Sequence, residues 1–242
     1  MTETAPKIRL YVDAALSAGA AVPLLPDQAH YLFAVMRRAR GDSIALFNGR
    51  DGEWRAEIAE AGKRRGTLVV QQQTGPQVSL PDLWLLCAPI RKARMDVLVE
   101  KAVELGVARL QPVLTRRSQG ERLRPEKLRA HMVEAAEQCG GTVVPELAEA
   151  QPLAQVLAAW PKARRLLFCD ETRDAPTLAG TDAPPPAALL IGPEGGFDPD
   201  EAAALRAHPA CRPVSLGPRI LRAETAAIAA ITLWQALQGD WQ

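Results

Sequence analysis

The sequence predicts an α/β protein in two parts, a small strand-rich barrel followed by a mainly parallel sheet with flanking helices. Three observations predict it. Residues 7–73 carry short strand-like stretches broken by turn residues. Residues 74–81, TGPQVSLP, have no hydrophobic period and hold two prolines and a glycine, the composition of a linker. Beyond them apolar runs alternate with helical stretches, which requires crossover connections and therefore a parallel sheet. The division falls between residues 1–75 and 76–242.

In the first part, strands are predicted at 7–12, 43–47, 53–60 and 67–73. Asn48-Gly49-Arg50-Asp51-Gly52 supplies a turn because Asn and Gly tolerate positive φ, and residues 63–66 close the next hairpin. One helix interrupts. It starts near Asp27, which can cap the amides after it, sets Leu32, Val35 and Met36 on one face, and ends at Gly41. In the second part, strands are predicted at 83–88, 109–114, 166–169, 187–191 and 213–216, with helices at 92–105, 125–139, 199–207 and 224–237. Asp198-Pro199-Asp200-Glu201 puts a cap, a first-turn proline and a capping-box Glu in order, which marks one helix start sharply.

Composition narrows the class. At 48% hydrophobic and 24% charged residues over 242 positions, the chain can bury a sizeable core, and disordered or fibrous states are excluded. Lys plus Arg (29) nearly balance Asp plus Glu (28), so no global field marks a nucleic acid or membrane partner, and such a partner must be read from local clusters. Cys87, Cys139, Cys169 and Cys211 form no C-x-x-C and have no nearby histidine pair, so no metal site is expected. With no signal-peptide pattern and no apolar run of membrane-spanning length, the reading is a cytoplasmic protein with buried thiols and no membrane partner.

Ligands of an open parallel sheet bind beyond the carboxyl ends of its strands. Three loops stand there: Cys169-Asp170-Glu171, Gly192-Pro193-Glu194-Gly195-Gly196, and Gly217-Pro218-Arg219-Ile220-Leu221-Arg222. The last two combine glycine with proline, a fixed backbone with little side-chain cover that lets a flat ligand approach main-chain groups. Either alone is equally a tight strand-to-helix turn; two of the same chemistry favour a ligand. A phosphate site fits poorly, because G-x-x-x-x-G-K-[ST] and G-x-G-x-x-G are both absent and Glu194 would repel phosphate.

With their flanks, Leu190-Ile191-Gly192-Pro193-Glu194-Gly195-Gly196-Phe197 and Leu216-Gly217-Pro218-Arg219-Ile220-Leu221-Arg222-Ala223-Glu224-Thr225-Ala226, these two loops resemble the paired signature of the RsmE family. Those are SPOUT-class ribosomal RNA methyltransferases acting on N3 of a uridine in small-subunit RNA. Met95-Asp96, the run EKAVELGV from Glu100, Arg117-Ser118 and the run EAAEQCG from Glu134 also match, with Gly141 where the family often has arginine. The resemblance spans both parts of the chain in the family's order. It implies a PUA-like β-barrel that grips RNA and a SPOUT-type parallel-sheet domain tied in a trefoil knot. It also implies S-adenosyl-L-methionine as cofactor, a homodimer, and 16S ribosomal RNA, within the small ribosomal subunit, as partner. The cofactor loops map onto Leu190, Gly192, Pro193, Glu194, Gly195 and Gly196, and onto Leu216, Gly217, Ile220 and Leu221. Backbone groups of Leu190, Gly192, Leu216, Ile220 and Leu221 then meet adenine and ribose.

Methyl transfer to uracil N3 requires loss of a weakly acidic proton and stabilisation of negative charge on O2 and O4. Arg222 is assigned as the oxyanion partner, Arg219 as an RNA or loop clamp, and Glu224, at a helix start, as the orienting carboxylate. The proton acceptor stays open between a carboxylate of raised pKa and water. Glu194 reads as an organiser of its loop. Three basic clusters offer RNA contacts: Arg37-Arg38-Arg40; Arg91-Lys92-Arg94; and Arg116, Arg117, Arg122, Arg124, Lys127 and Arg129 against Glu121 and Glu126. Each alone is a solvated face, whereas three on a near-neutral protein favour a phosphate-tracking surface. Arg9, next to the aromatic Tyr11, extends it. Two rival readings are a SPOUT methyltransferase for another RNA site and a non-catalytic RNA-binding assembly factor; retention of Arg219, Arg222 and Glu224 argues against the second.

Overall fold

The computed structural model describes residues 6–118, 123–172 and 174–241; Glu121 and Arg122 of the third basic cluster lie outside them. The chain divides into two compact units. One comprises the residues up to Ser79 together with Ala136–Val143, the other Leu80–Ala135 with the chain from Val144 onward.

The first unit holds β1 (Arg9–Tyr11), β2 (Ala21–Pro23), α1 (Pro26–His30), β3 (Ser43–Phe47), β4 (Glu53–Gly62) and β5 (Arg65–Gly75). The strands form one sheet in the order β1-β3-β4-β5-β2, antiparallel except for the β1–β3 pair. Leu10, Leu32, Ile44, Leu46, Ile58 and Leu68 fill its core.

The helix here differs from its sequence pattern. Leu25, not Asp27, is the N-cap: Pro26 opens the first turn, and Gln28 Oε1 accepts the Leu25 N–H at 3.0 Å. From Tyr31 to Val35 the helix widens into a π turn, in which Met36 N–H donates to Tyr31 O. The wider turn breaks the 3.6-residue spacing, so Leu32 is buried while Val35 is exposed. Arg37 then adopts a left-handed φ of 53° and the helix is over before Gly41.

The second unit holds β6 (Leu83–Cys87), α2 (Lys92–Glu104), β7 (Arg109–Leu114), α3 (Pro125–Cys139, whose last turn belongs to the first unit), β8 (Glu146–Leu147) and β9 (Gln151–Pro152). It continues with α4 (Leu153–Ala158), β10 (Arg165–Cys169), β11 (Ala187–Ile191), α5 (Pro199–Ala207), β12 (Cys211–Val214) and α6 (Ala223–Gln238). The sheet order is β12-β10-β11-β6-β7-β8, with β9 beside β7, and every pairing is parallel. β11, AALLI, is buried at all its positions, as a strand covered on both faces must be. The α5 cap forms as its residues dictate, with Asp198 accepting the Asp200 N–H at 3.1 Å and Glu201 accepting the Asp198 N–H at 3.3 Å. Among the described residues no helix is long and apolar enough to cross a membrane.

Arg9 has a different task from the RNA contact its sequence position suggests. Its side chain is only 12% exposed and its Nε is 2.8 Å from Glu53. Its remaining donors reach Ala136 O at 2.8 Å, Glu137 O at 3.4 Å and Gly141 O at 2.8 Å, the orphan carbonyls where α3 ends. Gly140, at φ 82°, makes that ending possible. With all three guanidinium nitrogens bonded to protein and the side chain only 12% exposed, Arg9 serves the fold rather than a phosphate. Arg9→Ala is expected to destabilise the fold by about 3 kcal/mol, because Glu53 and the helix carbonyls lose their partner together. Urea unfolding measures it; a loss below about 0.5 kcal/mol would return Arg9 to the surface class.

Candidate active site

β12, β10 and β11 are neighbours in the sheet, so the loops leaving their carboxyl ends converge. They line a cleft of about 260 Å³. The β10 loop contributes Cys169, Asp170 and Glu171, the β11 loop Gly192, Pro193 and Glu194, and the β12 loop Leu216, Gly217 and Arg219 through Arg222; Arg94 of α2 and Ala226 of α6 complete the wall.

The glycines differ in what they allow. A Cβ on Gly192 would lie 2.6 Å from the Phe197 ring, which packs edge-on against Phe168 with centroids 5.1 Å apart. Only glycine lets the loop close over that pair. Gly217, at φ 112°, has nothing within 4 Å of where a Cβ would stand and is braced by Ser215 Oγ, 3.2 Å from its N–H. It presents bare backbone to the cleft.

The floor is electrostatically fixed. Asp170 is buried, accepts the Thr172 N–H at 3.0 Å and is 2.6 Å from the Arg206 guanidinium. Burial pushes its carboxyl up, but the Thr172 and Arg206 hydrogen bonds and the Arg206 charge outweigh that and hold it below the usual carboxylate range. A depressed folded pKa adds stability that is present above the unfolded value, near pH 4, and is lost as pH falls through the folded one. The wild-type chain is therefore expected to lose more stability than Asp170→Asn between about pH 5 and about pH 2, as urea titrations at each pH would measure. Equal losses would mean the pair contributes nothing. Beside it, burial pushes the Cys169 thiol up to about 12, so it remains a thiol at neutral pH and is no nucleophile.

The site residues named from sequence separate into groups. Gly192, Pro193, Glu194, Leu216, Gly217, Ile220 and Leu221 line the cleft, as do Arg219 and Arg222. Both arginines are exposed, and neither side chain has a hydrogen-bond or ion-pair partner among the described residues. Leu190 is fully buried inside β11, its side chain in the core and away from the cleft. Gly195 and Gly196 stand outside the lining: Gly195 O accepts from Arg117 at 3.3 Å, and Gly196 lies buried against the Glu171 carboxylate. Glu224 does not reach the lining either; its Oε1 is 3.7 Å from Arg94.

The basic residues separate likewise. Arg94, named for RNA, lines the cleft and pairs with Glu194 at 2.6 Å. Arg91 is 80% exposed at the start of α2. Arg116, 59% exposed, places its Nη1 2.7 Å from both Asp198 and Asp200, acidic residues at the α5 N-terminus that offset its charge. Arg37 is exposed, and Arg38 is 4.0 Å from Asp42. Sequence reasoning singled out the β10 loop but carried none of its residues into the site; its position after an apolar run was the usable signal.

Two family models match the chain. An RNA methyltransferase domain covers residues 78–235 and an RNA methyltransferase PUA domain covers residues 24–71. The chain is 30% identical over 232 residues to the ribosomal RNA small subunit methyltransferase E of Rickettsia conorii, spanning 92% of this chain and 93% of that one. Among solved structures, the ribosomal RNA small subunit methyltransferase E of Neisseria gonorrhoeae bound to S-adenosyl methionine superposes with a TM-score of 0.89 at 30% identity, covering 97% of this chain and 99% of that one. A Legionella pneumophila methyltransferase in complex with the same cofactor gives a TM-score of 0.86 at 32% identity, with 96% and 98% covered.

Proposed function

The chain belongs to the RsmE family of ribosomal RNA methyltransferases, and on that premise we propose that it transfers the methyl group of S-adenosylmethionine to N3 of a uridine in 16S ribosomal RNA. One observation carries the reading: two glycine- and proline-rich loops and two unpartnered arginines converge on one cleft at the carboxyl ends of adjacent parallel strands.

The residues present suit the cofactor. Bare backbone at Gly217 with the apolar Leu216, Ile220 and Leu221 suits adenine and ribose, while the Glu171 carboxylate suits a cationic centre. S-adenosylmethionine supplies an electrophilic methyl group carried on a sulfonium. Arg222 is the N-cap residue of α6 with no side-chain cap bond, so its guanidinium is free to donate to uracil O2 or O4 as charge develops there. Arg219 shares that task or clamps the RNA. Glu224 faces Arg94 and stands off the cleft lining, which favours proton loss to water, driven by arginine stabilisation of the anion.

In this reading residues 1–75 grip RNA through Arg37, Arg38 and Arg40, and residues 76–242 carry the methyl transfer within a knotted SPOUT-type domain. The reaction takes place in the cytoplasm, on the small ribosomal subunit. We extend the reading to a homodimer. Ala227, Ala230, Ile231 and Trp234 of α6 are buried, whereas Ala226, Ala229 and Leu233 are half-buried and Leu237 is 40% exposed, a stripe at helical spacing that suits a second helix. Light scattering should give twice the 26.1 kDa chain mass; a fully active monomer at assay concentration would contradict it.

Transfer of labelled methyl from S-adenosylmethionine to purified small-subunit RNA or assembled subunits tests the activity. The expected product is 3-methyluridine. Cofactor binding without label in any nucleoside would favour the assembly-factor reading.

A further inference from the structure

We propose that Arg94 is a positioning residue that clasps the two walls of the cofactor cleft by holding Glu194 and Glu224 at once. The inference rests on the reading of this cleft as the S-adenosylmethionine site.

Arg94 stands in the first turn of α2, a hundred positions from Glu194 in the chain. Its Nη1 is 2.6 Å from Glu194 Oε1, on the loop after β11. Its Nε is 3.7 Å from Glu224 Oε1, in the first turn of α6. One guanidinium thus joins the loop that forms one wall to the helix start that follows the other loop. The side chains are 30%, 33% and 15% exposed, so solvent screens the contacts only in part. Glu224 Oε2 is buried with no hydrogen-bond partner among the described residues. Arg94 is its ion-pair partner among the described residues, and loss of Arg94 would strand a carboxylate. Arg91 also approaches Glu194, at 3.6 Å, but at 80% exposure it adds little.

At the tip of the β11 loop, Gly196 N–H donates to Pro193 O at 3.0 Å and Gly195 O accepts from Arg117 at 3.3 Å, while the Glu194 side chain is what ties the tip to α2. Glu194 lies between Pro193 and Gly195, and Gly195 is exposed. A ligand that binds through main-chain groups gains affinity from having those groups fixed beforehand. The clasp therefore sets cofactor affinity, and Arg94 acts on the two cofactor loops rather than on RNA phosphate, a difference that the salt dependence of RNA binding reads.

Calorimetric titration of S-adenosylmethionine into the full chain and its Arg94→Ala, Arg94→Lys, Glu194→Gln and Arg94→Ala/Glu194→Gln variants tests this, with RNA affinity measured over a range of salt. Arg94→Ala and Glu194→Gln should each weaken cofactor binding about tenfold, and the double variant no further than the worse single, the signature of a shared interaction. Arg94→Lys should restore part of the loss, and the salt slope of RNA binding should be unchanged. If Arg94→Ala does not fold, Arg94→Lys and Glu194→Gln carry the same comparison.

Unchanged cofactor affinity in the single variants, or losses that simply add, would overturn the clasp. So would intact cofactor affinity with a salt slope reduced by about one, which would make Arg94 a phosphate contact. Failure of the unaltered chain to bind S-adenosylmethionine would instead remove the reading of the cleft, and the clasp with it.

Discussion

Replacement of Arg222 by alanine is expected to lower the methylation rate roughly 100-fold or more while S-adenosylmethionine affinity stays within a few fold, the scale for removing one donor to a developing anion. The Arg222 side chain lines the cleft, is exposed and has no partner among the described residues, so its removal strands no buried group and should leave the fold intact. The loss should therefore appear in the rate at saturating cofactor and RNA. Single-turnover kinetics with a parallel binding titration separates the two quantities. A smaller effect with a large loss in Arg219→Ala would transfer the role to Arg219, and near-normal turnover in both would remove charge stabilisation from this loop.

Gly192→Val should reduce cofactor affinity by roughly 100-fold or more, because overpacking at a rigid site displaces its neighbours. Its Cβ would fall 2.6 Å from the Phe197 ring, and that ring is already seated on Phe168. Either the ring moves and loosens the core beneath the cleft, or the loop lifts and carries Pro193 and Glu194 with it. Gly195→Val is the control. It is exposed, its Cβ would make only an ordinary 3.8 Å contact with Arg117, and affinity should stay within a few fold. Calorimetry on both variants, with melting curves to verify folding, decides the matter. Normal binding by Gly192→Val would take the β11 loop out of the cofactor site.

The elements legible in the sequence are those whose signal is local and repeated. α5 begins where Asp198, Pro199 and Glu201 require it, and β11 follows its unbroken apolar run. Elements of two or three residues, such as β2, β8 and β9, give too few positions for a period to register. The π turn at Tyr31–Val35 was hidden because its residues fit a regular helix equally well. In the site, the glycine-rich loops could be found because strand ends and glycine are visible in one dimension. Charge partners are not. Arg9, Arg94 and Arg116 look alike as exposed basic residues until the fold brings them Glu53 and the α3 carbonyls, Glu194 and Glu224, or Asp198 and Asp200. Arg219 and Arg222, already assigned from the sequence, differ from these in that their side chains line the cleft with no hydrogen-bond or ion-pair partner among the described residues.

The central claim is that this chain methylates N3 of a uridine in small-subunit ribosomal RNA. Mass mapping of that RNA from a strain lacking the protein tests it most directly, with the strain complemented by the wild-type chain or by Arg222→Ala. The account predicts one unmethylated uridine in the deletion strain, its 3-methyluridine restored by the wild-type chain and not by Arg222→Ala. An unchanged 3-methyluridine in the deletion strain, or a lost methyl group on another base or another RNA, would contradict it.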